Sequence, residues 1–254
     1  MRAKKGSAQK KEPIRIIGNT VQLIEVLAQA GALSPAVAAE RIGIPRSSAY
    51  RLIDGLAAVD LVEPVGDGTV RLSTRWLQLS DASRAALVEW EAAPPVLQRL
   101  VDRTRQTAYL SVLTGSEVTC IEWRRGRGVD VLALRPARSL PLYAGAAGRM
   151  LLASAVDAEA YLVRAPFEPL TPESLVDADG LRADIEQTRA QDYVWSRSDV
   201  TYGIDAVGVA VRGRSGAVVG VLSLGGLTEA FAGRVEEFVG ELQSAALELG
   251  GSFA

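Results

Sequence analysis

The chain has 254 residues, 48% of them hydrophobic, and a formal net charge of -2; that is an ordinary composition for a soluble globular protein, and the length suits two modest cores. It has no histidine and a single cysteine, Cys120, which excludes Ser-His-Asp and Cys-His catalysis, rules out an internal disulfide and leaves zinc without its usual ligands. No cofactor or metal is expected, because Gly145-Ala-Ala-Gly148 and Gly225-Gly226 lack the spacing of phosphate-binding loops. No signal-peptide core or long apolar window is present, so a cytoplasmic protein is expected.

The charge is unevenly placed. Residues 1–72 hold ten Lys/Arg against seven Asp/Glu, a net +3, while residues 73–254 hold eighteen against twenty-three, a net -5. The first fifteen residues carry Arg2, Lys4, Lys5, Lys10, Lys11 and Arg15 against one acid, Glu12. This stretch reads as a basic flexible arm, with Lys10 and Lys11 as candidate DNA contacts; the alternative is a solubilising tail.

Ile17, Val21, Ile24, Leu27 and Ala28 mark an amphipathic helix. A helix pair follows. Ser34 is placed to N-cap its first member with Pro35 at the first helical position, and Ala36, Val37, Ala39 and Ile42 are its expected buried side. Gly43 can take the left-handed conformation that ends a helix. In the second member Ala49, Leu52, Ile53 and Leu56 share one face, and Ser47, Tyr50, Arg51 and Asp54 share the other. Arg46, Ser47 and Ser48 at its start suit phosphate oxygens, and Arg51 suits a bidentate contact to guanine; the competing reading is a solvated helix face. Leu61–Val65 and Thr69–Leu72 flank Gly66-Asp67-Gly68 as a hairpin wing, where Arg71 is a further candidate DNA contact.

From Ser73 to about Glu91, Trp76, Leu77, Leu79, Ala82, Ala86, Leu87 and Trp90 sustain a helical pattern that Pro94-Pro95 should end. This predicts a linker helix whose two tryptophans serve a dimer contact, or else pack on their own chain. Helices are then expected at 96–105, 148–153, 157–163, 179–190 and 231–249, and strands at 108–113, 118–123, 129–134, 193–195, 206–211 and 218–224. Interleaved strands and helices with consecutive strands indicate an α+β sensor-like domain around a central antiparallel sheet. The small residues of Leu140-Pro-Leu-Tyr-Ala-Gly-Ala-Ala-Gly-Arg149 let a ligand approach backbone N–H groups at a helix start, which favours an anion such as a carboxylate; close helix–sheet packing explains them equally well.

Three segments together, Ile44–Leu52, Leu140–Arg149 and Tyr193 with Tyr202-Gly203 and Val218–Gly226, resemble the IclR (isocitrate lyase regulator) family of bacterial transcription factors over about residues 16–250. The resemblance implies an α+β two-domain protein: a winged helix-turn-helix over 16–72, a linker helix over 73–92 and a GAF-like effector-binding domain over 93–254, assembled as dimers or dimers of dimers on operator DNA. It places the effector against Ala146, Ala147, Ser196, Ala206, Ser223 and Gly225, with Leu132 and Leu134 as an apolar wall. Tyr109, Tyr143 and Trp195 stand near enough in the pattern to receive an aromatic ring. Asp192 replaces a usual glycine, tolerable if left-handed, and Asp199 stands where glutamate is usual. The function expected is a ligand-responsive repressor of a catabolic operon that binds a roughly palindromic site and senses an aromatic or carboxylate effector. The alternative is a small-molecule-binding or enzymatic protein whose N-terminal helices serve assembly only.

Overall fold

The computed structural model describes residues 14–127 and 138–253. The chain divides into two compact units, 1–86 and 87–254. The expected strand at 129–134 lies outside the described residues.

The first unit opens with α1 (Arg15–Ala30), β1 (Ala32–Leu33), α2 (Pro35–Ile42) and α3 (Arg46–Ala57), followed by the hairpin β2 (Val62–Val65) and β3 (Thr69–Leu72). The Ser34 side chain accepts a hydrogen bond from the Val37 backbone N–H at 3.4 Å. Gly43 closes α2 at φ 68° and ψ 33°, a left-handed geometry that costs a residue with a Cβ. The hairpin tip is fixed by Asp67, whose carboxylate accepts from the Thr69 N–H and hydroxyl; these bonds hold its pKa below the ordinary value. The wing has a third strand that the alternation did not reveal, because β1 is two residues long and pairs with β3 at Ala32–Arg71 and Leu33–Val70.

The core of this unit joins Leu23, Leu27, Ala38, Ile53, Leu56, Val62 and Val70. The buried stripe of α1 therefore runs through Leu23 and Leu27, and the expected Ile17 and Val21 are exposed. In α2 Ala39 is buried as expected, but Ala38 joins it and Val37 is exposed. Both shifts have one cause: an apolar helix has room for two adjacent stripes, and the partner surface selects one.

The linker pattern breaks into α4 (Arg75–Ala85) and a short 3-10 turn (Val88–Trp90), and Pro94-Pro95 starts α5 (Ala93–Thr104) instead of ending a helix. Prolines suit a helix's first turn, where their missing N–H has no partner to lose. The tryptophans pack on their own chain. Trp76, half-buried, donates its indole N–H to the Leu61 carbonyl at 2.7 Å, and Trp90 is buried with its ring 4.4 Å from that of Phe253, which is the own-chain packing given as the alternative to a dimer contact.

In the second unit α5 leads into β4 (Thr107–Thr114), β5 (Glu117–Arg124), β6 (Ser139–Pro141), α6 (Gly145–Ser154), α7 (Ala158–Leu162), α8 (Ala178–Gln191), β7 (Val194–Arg197), β8 (Ile204–Arg212), β9 (Val218–Leu227), α9 (Thr228–Phe231) and α10 (Val235–Gly250). The helix expected over 231–249 is thus interrupted, with Gly233 at φ 70° in the break. Asp192 caps α8 in the left-handed conformation, as its side chain tolerates.

The six strands form one antiparallel sheet in the order β6-β5-β4-β9-β8-β7. Strand alternation assigns the two faces. Ala108, Leu110, Val207, Val209, Val211, Leu222 and Leu224 meet α5 and α10 in one core. On the other face Val194, Val221, Ala206 and Ala210 meet α6 and α8. That face also carries Tyr109, Ser196, Ser223 and Gly225, and it is where a cavity opens.

Candidate functional site

Two sites of different chemistry stand on the two units. On the first, α3 turns Ala49, Ile53 and Leu56 inward and leaves Arg46, Ser47, Tyr50, Arg51 and Asp54 exposed, with Ser48 half-buried. This follows the residue spacing of the sequence. Neither Arg46 nor Arg51 has a hydrogen-bond or ion-pair partner among the described residues. Arg71 differs: its guanidinium reaches across the wing to Glu63 at 2.7 Å. Lys10 and Lys11 lie outside the described residues.

On the second unit, sheet register assembles the pocket. Ser196 pairs with Ala206 and Ala206 with Gly225, giving one row across β7, β8 and β9. The next row runs from Tyr109 through Ser223 to Gly208. The start of α6, with Ala146 and Ala147, closes over them, and Leu140, Val200, Thr201 and Ile204 complete a cavity of about 60 Å³. Seven expected ligand residues therefore come together: Tyr109, Ala146, Ala147, Ser196, Ala206, Ser223 and Gly225.

Two expected aromatic walls do not join them. Tyr143 stacks on Phe167 at 4.7 Å and donates its hydroxyl to the Glu168 carbonyl at 2.6 Å. Trp195 donates its indole N–H to Asp205 and carries the Arg197 guanidinium on its ring, 4.7 Å from the centroid. It faces a separate polar groove with Arg149 and Asp184. Its neighbour Ser196 points to the cavity because adjacent strand residues face opposite ways. Leu132 and Leu134 lie outside the described residues.

The helix start holds a carboxylate from its own chain. Asp199 accepts from the Gly145 N–H at 3.1 Å, from Arg149 at 3.2 Å and from the Ser196 hydroxyl. Arg149 also forks onto Asp184. Burial opposes the Arg149 charge, but the bonds and charges of Asp184 and Asp199 outweigh it and raise its pKa. Ser174 and Thr171 donate to the carbonyls of Asp199 and Ser198 and so fix the loop that carries the carboxylate. Gly148 serves packing: a Cβ there would lie 2.8 Å from the Pro141 carbonyl oxygen.

Among the described residues no Lys or Arg lines the cavity, whose polar groups are the hydroxyls of Tyr109, Ser196, Thr201 and Ser223 together with Asp199. Burial raises the Tyr109 pKa, and the neighbouring Cys120 adds to the shift, so the phenol stays protonated as donor or acceptor. Asp199 and Arg149 were not among the expected site residues. The signal was present in Arg149, a lone charge in a helix whose residues 146–153 are otherwise small or apolar; a buried charge needs partners.

This combination of an exposed cationic recognition helix with a sheet-and-helix cavity has a match in known families. The IclR helix-turn-helix domain matches residues 17–66, and the C-terminal domain of the bacterial transcriptional regulator IclR matches residues 84–250. The chain belongs to the IclR family. It is 30% identical over 236 residues to the HTH-type transcriptional regulator Rv1719 of Mycobacterium tuberculosis, covering 90% of this chain and 88% of that protein. The crystal structure of an IclR transcriptional regulator from Alicyclobacillus acidocaldarius shares the fold, with a TM-score of 0.82 at 22% identity over 95% of this chain and 100% of that one. An IclR homologue from Microbacterium hydrocarbonoxydans, crystallised with 4-hydroxybenzoate, is 26% identical with a TM-score of 0.79, covering 93% and 98% of the two chains. The protein is therefore a DNA-binding transcriptional regulator with an effector-binding domain, and its family is not enzymatic. No helix among the described residues is long and apolar enough to cross a membrane.

Proposed function

We propose that this IclR-family regulator is a cytoplasmic repressor of a catabolic operon that binds a roughly palindromic operator as a homodimer or dimer of dimers and releases it when an effector fills the Tyr109–Ser223 cavity. Residues 73–92 connect reader to sensor. The α3 face enters the major groove, with Ser47 and Tyr50 against the DNA and Arg51 on a guanine edge; such a bidentate contact discriminates by about 1 to 3 kcal/mol. The observation that supports this most is the pairing state of the arginines: on the face that α3 turns to solvent, Arg46 and Arg51 have no acidic partner among the described residues. Arg71, tied to Glu63, contributes a weaker contact from the wing.

The cavity favours an effector that inserts an uncharged, hydroxyl-bearing end. A carboxylate pushed against α6 would meet Asp199 and find Arg149 already shared between two acids. A hydroxybenzoate-like ring entering by its phenol meets hydroxyls and apolar Leu140, Val200 and Ile204 instead. The volume of about 60 Å³ is below the ~150 Å³ that holds a benzene, so the ring seats only as the walls yield or stays partly in the mouth.

Mobility shift with the DNA upstream of the gene tests both ends. Arg51→Ala should lose sequence preference; unchanged preference sinks its assigned role. Ser223→Phe, which fills the cavity, should keep operator binding and abolish release by hydroxybenzoates, and retained release moves the effector elsewhere. Stronger release by simple aliphatic carboxylates than by phenols would reverse the proposed polarity of the ligand.

A further inference from the structure

Beside the recognition helix lies a cleft of about 540 Å³ shared by Arg15 and Asn19 of α1 with Ile44, Pro45, Ser48 and Arg51. Two guanidinium groups thus border one cleft, and neither has an acidic or hydrogen-bonding partner among the described residues. Acids are at hand among the described residues of this unit, with Glu25, Glu40 and Asp54 all exposed, yet none of them forms an ion pair with Arg15 or Arg51. The exposed arginines of the other unit are often handled differently, as Arg99 with Glu248, Arg103 with Glu241 and Arg182 with Glu159. Like charges left facing one another cost free energy that a bound anion recovers. Ser48 and Asn19 add neutral donors of the kind that phosphate oxygens accept.

We infer that this cleft clamps a DNA phosphodiester at the edge of the groove that α3 enters, with Arg15 as a positioning contact that reads no base. The inference rests on the docking of α3 proposed above and adds α1 to the DNA surface. It gives the two arginines separable duties: Arg15 contributes to affinity for any duplex, and Arg51 to choice among sequences. The apolar part of the cleft, Ile44 and Pro45, offers contact to deoxyribose.

Arg15 is exposed and has no pairing partner among the described residues, so its replacement should leave the fold intact, which an unchanged unfolding midpoint verifies. The test measures the affinity of wild type, Arg15→Ala and Arg15→Lys for the operator duplex and for an unrelated duplex across a salt series. Each phosphate contact contributes about 0.9 to the slope of log K against log salt. Arg15→Ala is expected to weaken both duplexes by the same factor, about tenfold near 0.1 M salt, and to make the slope shallower by about 1. Arg15→Lys, which keeps the point charge, should retain most of the binding. Unchanged affinity and slope for Arg15→Ala overturns the clamp. Selective loss of operator binding overturns it too, because Arg15 would then read bases. Failure of wild type to shift any duplex at low salt sinks the α3 docking and the clamp together, an outcome distinct from an unaffected Arg15→Ala.

Discussion

Replacing Asp199 tests how the start of α6 is tied to β7 beside the pocket. In Asp199→Ala the Gly145 N–H, the Ser196 hydroxyl and one nitrogen of Arg149 lose their acceptor together. Arg149 stays 6% exposed with only Asp184 opposite it. Breaking a buried ion pair by removing one partner costs about 3–5 kcal/mol, and loss of an acceptor at a helix start costs about 0.5–2 kcal/mol. The two overlap because they share one carboxylate, so a total of about 3–5 kcal/mol is expected. For a unit of this size that lowers the unfolding midpoint by about 6 to 20 °C. Asp199→Asn keeps an acceptor and loses the charge, and should cost about 1–3 kcal/mol. Tryptophan fluorescence during thermal unfolding of the full chain is a suitable readout, since Trp90, Trp123 and Trp195 share the unit with Asp199 while Trp76 lies in the other. A midpoint lowered by less than about 2 °C in Asp199→Ala would refute the reasoning.

Gly43→Ala places a Cβ where nothing lies within 4 Å, so its penalty is purely conformational, about 1–2 kcal/mol for the left-handed backbone; urea unfolding should show it, and a variant as stable as wild type would contradict the turn geometry. Tyr109 supplies a pH dependence. Burial raises its pKa from the ordinary 10.0, so above pH 10 the unfolded chain ionises while the folded phenol stays protonated, and the stabilisation present below pH 10 is lost as pH rises toward the folded value. Tyr109→Phe should therefore flatten the alkaline fall of the unfolding midpoint relative to wild type; parallel curves would show the phenol is solvated.

Much of the fold was legible because it is local. The Ser34 cap, the Gly43 turn and the amphipathic α3 each depend on residues within a few positions of one another, and the alternation of Ala206-Val-Gly-Val-Ala-Val211 already separates a small-residue face from a bulky one. The alternation did not pick out the cavity by itself: it was the resemblance to the IclR family that pointed to Ala146, Ala147, Ser196, Ala206, Ser223 and Gly225, with Tyr109 beside them. What failed was choice among equivalent surfaces. Nothing local to α1 separates Ile17 and Val21 from Leu23 as the buried stripe, and nothing in the linker pattern says that Trp76 reaches Leu61 or that Trp90 meets Phe253 from the far end of the chain. Trp195 and Tyr143 are aromatic residues adjacent to cavity segments, yet their rings turn to other partners.

By itself the sequence determined the order of elements, the exposed cations of the recognition helix and the small-residue face on which a ligand can lie, since spacing and residue size act over one or two turns or a strand pair. Tertiary structure alone decided the charge state of the pocket. Arg149 joins Asp184 and Asp199 from 35 and 50 residues away, and this closure brings a carboxylate of the chain to the helix start where an anionic ligand was expected. The physical reason is that a charge removed from water must be neutralised by whichever partners folding brings to it, and sequence spacing does not encode which those are.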